Sequence, residues 1–332
     1  MSEEEVYAAF KAVRFADNGG EPFCPHCGVD AVYEYRSKAR RLFKCQDCHK
    51  QFTLTSCTLF ASHKMALRDI LVAIAIFVDG ANGVSALRLT RDLGCSYKTA
   101  FVLLHKLREA MGEMQKDQKL TGIVEVDGVW VGGHIKRKNA ADKRIDRRKA
   151  PNPKDYTPED YEKAMKSWGR RRTVVTLRER RRGGRTKSFV FKSEAEAIPA
   201  ILHHTDPSAI IHVDEGAWWN ALHAWRDVNH VDHRRRYADV EKQIHVNSVE
   251  SFNSRVRRAE RGVHHRISGR HLQGYADEFG WREDHRRVDN GRQVAKVLSA
   301  VARMPVSREW KGYWQRRATD DPGPARARMA LP

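Results

Sequence analysis

The chain has 332 residues, 41% of them apolar, and its 61 Lys and Arg exceed its 42 Asp and Glu to leave a net charge of +19. That length holds about two or three domains, and the charge points to a polyanionic partner, nucleic acid before an anionic membrane surface. The longest apolar run, Ile70 to Val78, is well short of the roughly 20 residues that span a bilayer, and the acidic start Met1-Ser-Glu-Glu-Glu lacks a leader pattern, so a cytoplasmic protein with no membrane partner is expected.

Residues 1–20 are expected to form a short helix with Val6, Phe10 and Val13 on one face. A cysteine-rich segment, 21–60, follows, and 61–117 carries a helical period. Leu67, Ile70, Leu71, Ile74 and Phe77 mark its first helix, which Asp79-Gly80-Ala-Asn-Gly83 stops. A second helix covers about 85–93 and ends at Gly94. The third starts with Ser96 as N-cap and runs through Ala100, Leu103, Leu104, Leu107 and Met111. These proportions suit a helix–turn–helix that packs Leu87, Leu89 and Leu93 on Ala100 and Leu104 and presents Tyr97, Lys98 and Lys106 to DNA. A small helical bundle that only packs on the core fits the same pattern.

Strand character begins at Gly122, with Ile123, Val124, Val126, Val129 and Val131 before Gly132-Gly133. Residues 134–172 are polar and broken by three prolines, which predicts an exposed insertion. Arg172–Arg180 and Thr186–Lys192 read as a hairpin around Gly183-Gly184. Ser193 is expected to cap a helix with Glu194 and Glu196 in its first turn. Ile210 to Val213 is a second buried strand, and helices follow near 245–261 and 268–285. The remainder, 291–332, reads as a C-terminal helix and a tail, from about 315, whose Arg, Pro and Asp content predicts disorder.

Cys24-Pro-His-Cys27 and Cys45-Gln-Asp-Cys48 are two CxxC knuckles separated by 17 residues. Four thiolates at this spacing supply a tetrahedral structural zinc site. Val32, Tyr33, Tyr35, Leu42, Phe43 and Phe52 suit the short strands of a zinc ribbon. So small a segment buries too little apolar surface to fold alone, and zinc would contribute on the order of 10 kcal/mol. His26 and His49 are weaker ligand candidates; Cys57 and Cys95 read as small core residues.

Asp127 interrupts an apolar strand, Val-Glu-Val-Asp-Gly-Val-Trp, where a charge is costly unless something compensates it. Asp214 ends the second strand. Glu250 lies in a helix with 35 residues between it and Asp214, and Arg257 comes two helical turns later, near the same face. Strand Asp, strand Asp, helix Glu and a following basic residue suit two-metal phosphoryl transfer, with Asp127, Asp214 and Glu250 as hard oxygen ligands for two Mg²⁺ ions.

These residues carry a resemblance. The chain resembles the insertion-sequence transposases of the ISXO type, in the DDE superfamily, over about residues 20–290. The shared stretches are both CxxC knuckles, Gly94 through Met111, Val124-Glu-Val-Asp-Gly-Val-Trp-Val-Gly-Gly133, His212-Val-Asp214 and His245-Val-Asn-Ser-Val-Glu-Ser-Phe252. They continue in Arg261-Gly-Val-His-His265, His271 to Tyr275 and Glu278 to Arg282. The resemblance implies a multidomain α+β chain: the zinc ribbon, the helical DNA-binding segment 61–117, and a ribonuclease-H-like mixed α/β catalytic core at 118–290. It implies Asp127 and Asp214 as catalytic ligands, and Asn247 competes with Glu250 for the third place. The chain departs from the family pattern at Gly128, where an acidic residue is common, at Arg257, where Lys is usual, and at Asp284, where Asn is usual. The implied activity is metal-dependent strand cleavage and strand transfer at insertion-sequence ends. The implied partners are double-stranded transposon-end and target DNA and a second copy of the chain, as a homodimer or larger synapse, and the expected place is near the bacterial nucleoid.

Residues 134–187 hold 20 Lys or Arg against 7 acidic residues, the strongest phosphate-binding stretch. Arg255, Arg257, Arg258 and Arg261 are candidates to line the catalytic groove. Trp168, Trp218 and Trp219 are candidates to stack on unpaired bases, although core packing suits Trp218 and Trp219 better. His264 and His265 are candidates for a phosphate contact or plain turn residues. Two rival functions stay open: a zinc-ribbon DNA-binding regulator with an inactive core, and a structure-specific nuclease.

Overall fold

A computed structural model describes residues 1–37, 40–132, 150–231 and 244–315. The tail expected from about 315 and the first part of the basic insertion, 133–149, lie outside the described residues. Two compact units emerge, one from Met1–Lys116 and the segment beginning at His285, the other from Asp117–Asp284.

In the first unit, Ser2 and Glu5 form a reciprocal capping box that starts α1 (Glu3–Arg14), which buries Val6 and Phe10. The ribbon strands β1 (Val32–Ser37), β2 (Arg40–Cys45) and β3 (Gln51–Phe52) pair antiparallel in that order. Phe43 stacks on Phe52, and Phe15 meets Phe43 edge-on, so aromatic rings underlie the knuckles. Cys24 and Cys48 sulfurs lie 3.6 Å apart, as do those of Cys27 and Cys45. Tetrahedral zinc with 2.3 Å Zn–S bonds requires edges of about 3.8 Å. The four thiols, all within 4.8 Å of one another, therefore fit one zinc without help from His26 or His49. Cys57 and Cys95 are half-buried and stand apart from this cluster, not in the core as expected.

Helices α2 (Leu67–Asp79), α3 (Ala86–Leu93) and α4 (Tyr97–Met114) follow the predicted boundaries to within three residues. Ser85 and Ser96 accept backbone N–H groups as N-caps, and Gly94 closes α3 at φ 61°, a left-handed conformation. Leu89 is buried, but Leu87 is exposed and not part of the packing. The expected DNA-facing set also divides. Tyr97 is exposed, Lys98 lies under the Trp314 ring, and burial holds the half-buried Lys106 below the usual lysine pKa. The last helix, α9 (Asn290–Arg303), packs on α1, α2 and α4, and Arg14 donates to the Ala302 carbonyl. No described helix is long and apolar enough to cross a membrane.

The second unit is a five-stranded sheet in the order β6-β5-β4-β7-β8. Its members are β4 (Ile123–Val131), β5 (Arg172–Glu179), β6 (Thr186–Phe191), β7 (Ile210–Val213) and β8 (Asp227–His230). The β4-β5-β6 meander is antiparallel, while β7 joins β4, and β8 joins β7, in parallel. Between β4 and β5, the insertion contains α5 (Pro158–Trp168), which the sequence reading missed. Pro158 occupies the first turn, where a proline needs no N–H partner, and Thr157 caps the helix. The proline taken as a breaker is a starter.

Both faces of the sheet are covered. On one, Val124, Val126, Val175 and Ile211 pack with Trp219 and with α6 (Ile198–His204). On the other, Val129, Val131 and Val174 pack with α7 (Asn247–Ala259) and α8 (Leu272–His285). The period-2 alternation along β4 assigns its odd-numbered side chains, Glu125 and Asp127 included, to the α7 face.

Candidate active site

β7 is short. Its register with β4 pairs Val124 with Ile211 and Glu125 with His212, then β7 ends at Val213. Continuing that register by two residues sets Asp214 beside Asp127. Asp127 thus sits mid-strand where β4 has lost its neighbour on one side, and a cleft between diverging chain ends is the usual ligand position in such sheets. Asp214 Oδ1 accepts from Gly216 N–H at 3.1 Å and from the buried Trp219 indole at 2.7 Å. Trp219 is therefore a core residue that also orients a carboxylate, whereas Trp218 is exposed.

α7 supplies the third element. Asn247, Glu250, Asn253 and Arg257 are spaced three or four residues apart and share one face. Asn253 donates to Asp127 Oδ2 at 2.9 Å, and Gly128 N–H donates to Oδ1 at 2.7 Å. Burial first, then the Asp214 and Glu250 charges, push the Asp127 pKa up to about 6 against these hydrogen bonds. Glu250 is thus within electrostatic reach of Asp127. Asn247 is exposed at the first position of α7, and Arg257 is exposed further along it. Arg255 is ion-paired to Glu283 at 2.6 Å. His264 packs edge-on against the Tyr275 ring, and His265 is an exposed turn residue at φ 57°.

Three residues escaped the sequence reading. Ser193 makes no capping hydrogen bond, and Glu194 begins a 3-10 turn. The Glu194 carboxyl lies against Gly128, so close that a Cβ there would stand 2.2 Å from Oε1. Burial, Asp214 and Asp127 raise its pKa to about 7. The absence of a side chain at 128 is the signal that room is kept for another group. Asn253, too, was overlooked for Asn247.

Glu125 is the third. It is fully buried, and α7 begins with no side-chain cap of its own. Glu125 Oε2 accepts from Ser248 N–H at 2.7 Å and Val249 N–H at 3.0 Å, filling that role from β4. Its Oε1 accepts from Arg180 at 2.8 Å, and Arg180 also reaches His212 Nδ1 and the His245 carbonyl. Burial and Arg180 depress the His212 pKa to about 4, leaving its Nδ1 free to accept. A carboxylate two residues before Asp127 thereby fixes the helix that carries Glu250 and Asn253.

The basic stretch also serves the fold. Arg178 pairs with Glu283, Arg180 with Glu125, and Arg181 and Arg185 with Glu179. Among the described residues, the four cysteines form a cluster tight enough for a bound ion, with ligand atoms within 4.8 Å.

Comparison with known proteins agrees with this anatomy. Residues 119–284 match the family model of the ISXO2-like transposase domain, and residues 1–51 match the model of a transposase zinc-ribbon domain. A protein of Halobacterium salinarum described as an uncharacterized protein in transposable element ISH50 is 26% identical over 115 residues. That match covers 34% of this chain and 38% of the relative, so the chain spans well under half of that protein's length.

Proposed function

The chain belongs to the ISXO2-like transposase family, and from that premise we propose that it cleaves DNA at the ends of an insertion sequence and joins the freed 3′-hydroxyl to target DNA. The observation that carries this reading is the β4–β7 register, whose continuation past the end of β7 would bring Asp214 beside Asp127, in keeping with the effect of the Asp214 charge on Asp127. The strand order, with an antiparallel meander beside two parallel strands, supports a ribonuclease-H-like core. The zinc ribbon at the N-terminus and the +19 charge support DNA as the partner. Synapsis of two ends would require at least a dimer.

The donor set fits Mg²⁺ chemically, since Asp127, Asp214 and Glu250 all offer hard carboxylate oxygens. Asp127, Asp214 and Glu250 would hold the ions. Bound there, two ions would supply Lewis-acid stabilisation of the attacking and leaving oxygens. The protein's own part is positioning. Trp219 and Gly216 N–H orient Asp214, Asn253 and Gly128 N–H orient Asp127, and Glu125 anchors α7. Arg257, exposed on α7, would meet a DNA phosphate. Glu194 is a fourth carboxyl beside this set, reaching it from the opposite face.

A strand-transfer assay with Mg²⁺ or Mn²⁺ on duplexes carrying the element's ends tests the reading. Asp214→Ala is expected to lower the rate by at least about 100-fold, above the 10–100-fold typical of groups one step removed from a metal. Full activity of that variant overturns the mechanism. Cleavage without joining would identify a nuclease instead.

A further inference from the structure

Trp130 follows Asp127 by three residues on β4, about 10 Å along the strand. It shares a face with Gly128 and is 42% exposed, although most of β4 is covered. α5 ends at Trp168, and the chain then turns tightly, with Arg171 N–H donating to the Trp168 carbonyl at 2.9 Å. The turn sets the Arg171 guanidinium 4.1 Å from the Trp168 ring centroid and 4.9 Å from that of Trp130. With Gly169, Arg172 and Lys192, these side chains line an open cleft of about 760 Å³. Among the described residues, the lining offers two indoles and three cations and no acidic side chain.

A guanidinium stacked on one ring is a common packing motif. A second indole brought to the same guanidinium and left in water is not explained by packing, because its exposed face gains nothing from burial. The complementary ligand carries negative charge and a free π-face. Duplex DNA provides the charge alone, since its base faces are stacked inside. An unpaired nucleotide provides both. Arg171 is partly withdrawn from water, which holds its pKa below the usual arginine value and raises the gain from a nearby phosphate.

We propose that this cleft binds an unpaired nucleotide of the DNA substrate, its base extending the Trp130–Arg171–Trp168 stack and its phosphates facing Arg172 and Lys192. The inference rests on the reading of DNA as substrate and specifies its local state. The roughly 10 Å along β4 equals about three stacked nucleotides at about 3.4 Å each, and Trp130 and Asp127 project from opposite faces of the strand, so about three nucleotides is the shortest spacing between the cleft and Asp127. The DNA would therefore be held open a few nucleotides from the reacting phosphate.

The test uses the full chain with zinc retained and no added Mg²⁺, at fixed salt. Affinity is measured by fluorescence anisotropy for a blunt duplex and for the same duplex with a three-nucleotide 3′ tail carrying 2-aminopurine. The tailed duplex is expected to bind more tightly, with quenched 2-aminopurine fluorescence. Trp130→Ala and Trp168→Ala should each weaken tailed binding by about 5- to 150-fold, the worth of one stacked base. Blunt-duplex binding should be unchanged, and Trp130→Phe should restore much of the loss. Equal weakening of both duplexes, no effect on either, or an unquenched tail in the parent protein overturns the proposal. The quenching needs no variant, so an unstable Trp130→Ala leaves the test intact. Tail preference without strand transfer would reject the enzymatic reading and keep this one; strand transfer without tail preference would do the reverse.

Discussion

Glu125 shows how one buried carboxylate can serve a site it does not enter. Removing its charge leaves Ser248 and Val249 N–H and Arg180 short of an anionic partner. Glu125→Gln is expected to cost about 1–3 kcal/mol in urea unfolding and to lower strand transfer by about 10–100-fold. Unchanged strand transfer would show that α7 is held by other means. Gly128 is a different case. A methyl there collides with Glu194 Oε1, the end of a flexible side chain that can swing away. Gly128→Ala should therefore change unfolding free energy by less than about 1 kcal/mol while slowing strand transfer; a loss of several kcal/mol would mean that Glu194 cannot move. The contest on α7 can be decided directly. Glu250→Gln should abolish most strand transfer and Asn247→Ala should spare it, because the Glu250 charge reaches Asp127 whereas Asn247 lies exposed at the helix start. The opposite ranking would assign the third place to Asn247.

At the scale of elements, the β5–β6 hairpin and α8 carry opposite pH signatures. Burial disfavours ionised Glu179, but Arg185, the Arg185 and Thr121 N–H groups and Arg181 outweigh it and hold the pKa at about 2. A depressed carboxylate contributes stability above its unfolded pKa, about 4.5, and loses it as pH falls toward 2. Glu179→Gln should therefore destabilise the protein at pH 7 and flatten the acid limb of the melting curve in that window. Asp277, on α8, behaves the other way. Burial raises its pKa to about 7 despite the hydrogen bond from Gln273. Its contribution is present below about pH 4 and is lost as pH rises toward 7. Asp277→Asn should raise the melting temperature relative to the parent at pH 8 more than at pH 4; an equal shift at both would mean that Asp277 ionises freely.

For the whole molecule, metal and salt are the controlling variables. Stripping zinc should unfold the ribbon, since the buried side chains of the described β1–β3 residues are Phe43, Cys45 and Phe52 alone. Loss of ribbon strands in circular dichroism on adding a strong chelator, reversed by zinc, is the expected result. DNA affinity should fall steeply with salt, about 10³–10⁵-fold between 50 and 200 mM if six to ten phosphates are neutralised. A flat dependence would contradict the basic surface as the phosphate contact. Arg178, Arg180, Arg181 and Arg185 should add little to that slope, because carboxylates already hold them.

What the sequence determined by itself was local. CxxC spacing defined a thiolate cluster, serine caps opened α3 and α4, Gly94 closed α3, and apolar strand-forming runs marked β4 and β7 as a glycine pair marked the β5–β6 hairpin. Each of these depends on neighbours a few residues apart. Tertiary structure decided the rest. Asp127 and Asp214 are 87 residues apart and meet only through a parallel register, which no local pattern encodes. Glu125, Glu194 and Asn253 looked ordinary because their partners lie far along the chain: the α7 backbone, the Gly128 gap and Asp127 itself. Return of α9 to α1 is equally invisible, since an amphipathic helix shows that it has a buried face but not which surface buries it.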